Sequence, residues 1–95
     1  MKDRNARKTY TDYIKMMNDE TTNRELIAYQ DWGECFAIIS LTTKRQDEDW
    51  KDFIVVQIDY YCNVQPIRTF LHFNEALAAL TALAYKSKPI ITLPF

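Results

Sequence analysis

The sequence predicts an α+β domain: an antiparallel β-meander of three or four strands packed against a C-terminal helix, with a short N-terminal helix ahead of it. Three observations carry this. Cys35–Leu41 and Phe53–Tyr61 are runs rich in β-branched and aromatic residues, separated by a polar connection, as in neighbouring strands. Glu75–Tyr85 is rich in alanine and leucine and is bounded by Asn74 and Pro89, the pattern of a capped helix. Tyr10, Ile14 and Met17 recur at i, i+4 and i+7, one face of a helix. Ninety-five residues that are 47% hydrophobic suffice for one core and not for two. With 12 basic and 13 acidic residues the charge nearly cancels, which excludes a chain kept disordered by self-repulsion.

Residues 1–8 carry Lys2, Arg4, Arg7 and Lys8 against Asp3, with no large apolar side chain after Met1, and predict a flexible basic arm ahead of a single domain over 9–95. This polar start lacks the apolar stretch of a secretory leader. Thr9 to Asp12 has the form of a capping box, which places the first helix over about 10–19.

Residues 23–32 admit two readings. Thr22 to Glu25 is a second possible capping box, and Gly33 stands where a helix could end. Against that, Leu26 to Tyr29 is an apolar block without a helical stripe, and Asp31-Trp32-Gly33 fits a three-residue hairpin loop. The hairpin is favoured.

The run from Cys35 to Leu41 is almost continuously apolar, as in a central strand covered on both faces. Lys44–Asp52 reads as a polar loop. Beyond Tyr61, Cys62-Asn63 can form a two-residue turn with Asn63 at positive φ. That turn would pair Ile58 with Ile67, Val56 with Thr69 and Ile54 with Leu71, and would set Gln57 against Arg68 with Asp59 diagonal to it. Pro66 has no N–H and predicts a free edge on that strand. Asn74 is the expected N-cap of the last helix, with Lys86 and Lys88 at its end. Ile90–Phe95 is an apolar tail.

The composition excludes several function classes. One glycine, Gly33, cannot build a P-loop or a dinucleotide fingerprint. Cys35 and Cys62 lie in apolar runs and read as buried, reduced thiols of a cytoplasmic protein. A structural zinc site needs four ligands, and His72 is the single histidine. No cofactor, metal or catalytic residue is expected. A Cys-His pair would have to use His72, which reads as a half-buried residue at a strand-to-helix junction. The longest mostly apolar stretch, Ala76–Tyr85, is about half a membrane span.

What remains is a small non-enzymatic interaction module that binds another protein, of the type seen in accessory regulators and in inhibitors carried by phages and plasmids. Its candidate contacts are Asp47, Glu48 and Asp49 beside Trp50, together with Phe53, Arg68 and Phe70 on a sheet face. For Trp50 itself the core-packing reading, folded back onto the sheet, is favoured over the partner contact. An alternative partner is nucleic acid, held by the basic arm and by bases stacked on Phe53, Tyr61 and Phe70. The net charge of −1 and a pI near 5.7 run against it. The last helix has almost no polar back, which predicts a homodimer with Ala79, Ala82 and Leu93 near its interface.

Overall fold

A computed structural model describes residues 5–30, 35–84 and 90–93. Helix α1, Ala6–Met17, leads into strand β1, Thr22–Gln30. A long hairpin follows, β2 at Phe36–Arg45 and β3 at Glu48–Ile58, then β4 at Val64–Phe70. Helix α2, Phe73–Leu83, and a short strand β5, Ile90–Thr92, complete the chain. All pairings are antiparallel, in the order β4-β3-β2-β1-β5. The α+β class and the strand reading of 23–30 therefore hold, and the tail supplies a fifth strand by pairing Ile90–Thr92 with Ala28–Gln30.

The layering differs from a two-layer arrangement. Side chains alternate across β2 and β3, so Ala37, Ile39, Val56 and Ile58 pack with Ala6 and Tyr10 of α1. Phe36, Ile38, Phe53 and Val55 pack instead with Ala76 and Leu80 of α2. The helices thus cover opposite faces, and α1 does not shield α2. β2 is buried from Phe36 to Ser40, as expected of a central strand. A bulge between Leu26 and Ala28 turns both Ile27 and Ala28 toward the α2 face.

α1 begins at Ala6, earlier than the Thr9 capping box suggests, because Asn5 caps it: its Oδ1 accepts from Lys8 N at 3.1 Å. Arg7 and Lys8 consequently lie on the helix, and Lys8 pairs with Asp12 at 2.7 Å. The remainder of the basic arm, 1–4, lies outside the described residues. So do the Asp31-Trp32-Gly33 loop and Lys86, Lys88 and Pro89. The buried hydroxyl of Tyr10 donates to the carbonyl of Cys35, tying α1 to the start of β2.

The β3–β4 register is also corrected. Ile58 pairs with Val64, Val56 with Pro66, Gln57 with Gln65 and Ile54 with Thr69, and Val55 opposes Arg68 across a bulge. The cause is Asp59. Its Oδ1 accepts from Tyr61 N at 2.8 Å and Asn63 N at 2.9 Å, and its Oδ2 accepts from Gln65 Nε2 at 3.0 Å. β3 therefore ends at Ile58, and a longer loop replaces the two-residue turn. Cys62, not Asn63, takes the positive φ, at 65°. β4 is an edge strand, as Pro66 indicates.

The opposite flank of the sheet is closed by two devices. β5 covers the second half of β1, and Leu93 N donates to Ile27 O at 2.8 Å. Along the first half, Asn18 Oδ1 accepts from Arg24 N at 2.7 Å and Asn18 Nδ2 donates to Arg24 O at 3.3 Å. One amide side chain there substitutes for a neighbouring strand.

Candidate protein-docking site

The segment expected as a polar loop, 44–52, is the outer end of the β2–β3 hairpin. The ladder runs without interruption to Arg45 opposite Glu48, and Gln46-Asp47 close it with Gln46 at φ 53°. Opposite charges face each other about that turn: Arg45 opposes Glu48, and Lys44 opposes Asp49. That symmetry is the sequence signal by which the hairpin could have been recognised.

Among the described residues, nothing pairs with this end of the sheet on one flank. β4 accompanies β3 only as far as Phe70 opposite Phe53, after which the chain turns away into α2. β3 from Glu48 to Asp52 is therefore itself the sheet edge. On the other flank β1 reaches Thr43, and Lys44 N donates to Thr21 O at 2.8 Å.

Trp50 lies in the middle of the open segment and is 50% exposed. It belongs to neither core cluster, so its ring is not folded into the interior as the core-packing reading has it. Its neighbour is Arg45, whose guanidinium carbon lies 5.5 Å from the ring centroid. On the other face the Lys51 ammonium lies 5.7 Å from the Phe53 ring. Two cations of this end thus sit over aromatic rings. Among the described residues, Asp47, Glu48, Asp49 and Asp52 have no ion pair; the salt bridge found is Lys8–Asp12. Asp47, Glu48, Asp49 and Trp50 are all exposed and adjacent, so these four expected contacts do come together.

The other expected contacts do not join them as an open surface. Phe53 is buried and meets Phe73 edge-on, 5.8 Å between centroids. Phe70 is half-buried beside the same cluster, and Arg68 lies over its ring at 5.0 Å. Tyr61 is exposed in the β3–β4 loop, at the far end of β4 from Phe70. The aromatic platform that base stacking requires is thus divided between a covered face and a distant loop.

The expected dimer contacts are likewise separated. Ala79 packs toward the α2 cluster and Leu93 toward the α1 cluster, while Ala82 is exposed beside Ala78 and Thr81. α2 has an apolar stripe of Phe73, Ala76, Leu77, Leu80 and Ala84, and a back mostly of short side chains.

Of the two cysteines, Cys35 is buried and Cys62 is exposed, the latter because the chain turns there instead of continuing as strand. His72 is exposed, not half-buried, and it rather than Asn74 occupies the N-cap of α2, making no side-chain cap bond. Cys62 and His72 flank opposite ends of β4, a strand of seven residues that spans roughly 20 Å. They cannot meet as a nucleophile and base. Among the described residues no three His, Cys, Asp or Glu side chains gather to hold a metal ion, and no helix is long and apolar enough to cross a membrane. No family model matches the chain, and neither a curated protein nor a solved structure does.

Proposed function

We propose that this protein is a non-enzymatic binding module that acts on another protein, as an accessory regulator or inhibitor, through the open end of its β2–β3 hairpin. The observation that supports the reading is Trp50, half-exposed on the stretch of β3 whose outer side no strand flanks among the described residues. An aromatic anchor on a rigid strand loses little side-chain freedom on binding, which is why such residues dominate interface energetics. A reducing cytoplasm suits the exposed thiol of Cys62.

The test is affinity capture from the cell that makes the protein, before and after nuclease digestion, with the natural chain, Trp50→Ala and Ala82→Glu. A partner protein that survives nuclease, disappears with Trp50→Ala and persists with Ala82→Glu is the expected result. Capture that vanishes on nuclease treatment, or that is indifferent to Trp50→Ala, would overturn the proposal.

A further inference from the structure

We infer that the hairpin end takes its partner by strand addition: an extended, basic segment of another protein lies along β3 from Glu48 to Asp52, in line with β4. This deepens the proposed function and rests on it.

The backbone provides the first reason. Among the described residues, five consecutive ones of β3, Glu48 to Asp52, have a strand on one side and none on the other, because β4 pairing stops at Phe70. An incoming strand would extend the line of β4 and take up the backbone groups left facing outward.

The other flanks of the sheet are protected. β4 carries Pro66, which has no N–H, and a bulge between its pairings with Val55 and Val56. β1 is closed by the Asn18 amide and by β5, which is itself the outer strand on that side and is only three residues long. Neither proline nor bulge interrupts Glu48–Asp52.

Charge selects the occupant. Asp47, Glu48, Asp49 and Asp52 carry no ion pair among the described residues; Lys44 and Arg45 stand opposite Asp49 and Glu48 on β2, and along the open strand Glu48, Asp49 and Asp52 outnumber Lys51. A second copy of this chain gains nothing from charge: antiparallel self-pairing centred on Trp50 sets Glu48 against Asp52 and Asp49 against Lys51, so repulsion and attraction offset each other. Glu48, Trp50 and Asp52 share one face of the strand, so lysine or arginine opposite Glu48 and Asp52 meets the carboxylates while an apolar residue midway between them, opposite Trp50, rests against the ring.

The test uses backbone-amide NMR of the full chain, titrated with an acetylated, amidated peptide matched in length to the open segment, with lysine at its first and last positions, valine at the middle one and threonine at the two others. Two control peptides carry glutamate for lysine, or N-methyl groups at alternate residues. The expected result is shift changes confined to 48–53 and 70–71, with affinity lowered about tenfold or more by either control and by Trp50→Ala. Binding elsewhere, no binding, or equal binding of the N-methylated peptide would overturn strand addition. Trp50-dependent capture of a protein together with peptide failure leaves the docking site standing and removes this mode of using it. Peptide pairing at the edge without any captured protein supports the mode and counts against the proposed function.

Discussion

Replacing Asn18 by alanine isolates the device that closes the first half of β1. Its side chain accepts from Arg24 N at 2.7 Å and donates to Arg24 O at 3.3 Å, filling both places that a neighbouring strand would fill. Alanine leaves both backbone groups to water. A hydrogen bond of this kind contributes a net 0.5–1.5 kcal/mol, roughly. The first is short and the second long, and the site is only partly buried, so the expected loss is about 1–2 kcal/mol. In a domain of this size each kcal/mol lowers the melting temperature by about 4–8 °C, which predicts a drop of roughly 5–15 °C. Asn18→Asp keeps an acceptor for Arg24 N but sets a carboxylate beside Arg24 O, and should fall between alanine and the natural residue. Thermal unfolding gives the magnitude, and hydrogen exchange at the Arg24 amide gives the place. Asn18→Ala within about 0.3 kcal/mol of the natural chain, or with Arg24 exchange unchanged, would refute the account of this edge.

Three further outcomes are expected. Leu80→Ala, which empties a fully buried position between α2 and the sheet, should cost about 2–5 kcal/mol in urea unfolding. Ala82→Glu, two residues along on the exposed side of the same helix, should stay within about 0.5 kcal/mol of the natural chain. The carboxyl of Asp19 is held below its ordinary value of 3.8, first by the backbone N–H of Thr21 and then by the Thr21 and Thr22 hydroxyls and the Thr22 N–H. A lowered folded-state value means the stabilisation is present above about pH 4 and is lost as pH falls through the folded value. Asp19→Asn should therefore flatten the acid limb of the stability profile, and parallel acid limbs for the two chains would contradict this.

Local chemistry determined much of the architecture without reference to the rest of the chain. The near-continuous apolar run through Phe36–Ser40 required burial on both faces, and the structure covers both. The spacing of Tyr10 and Ile14 and the alanine-leucine stretch near the C-terminus specified two helices. Pro66 placed its strand at an edge, because a residue without an N–H interrupts an interior ladder. Of the candidate site, Trp50 and its acidic neighbours were legible as aromatic and charged residues set side by side. Phe53 and Phe70 were not distinguishable from them, since composition does not say which face a helix will cover.

Pairing between distant segments decided the rest. Lys44–Asp52 looks like a loop by composition, yet on either side of the Gln46-Asp47 turn each residue gains its strand conformation from the one opposite, and that partnership is invisible in either half alone. The β3–β4 register depended on Asp59 capturing the backbone of its own loop, a local bond that competes with extending the ladder. Ile90–Thr92 became a strand only because β1 had a vacant flank to receive it. The exposure of Trp50 follows from where β4 stops, and β4 stops where the chain must leave the sheet to lay α2 over Phe36, Phe53 and Val55. Hydrogen-bond satisfaction and burial are properties of assembled layers, so the sequence could name the tryptophan and only the tertiary structure could leave it uncovered.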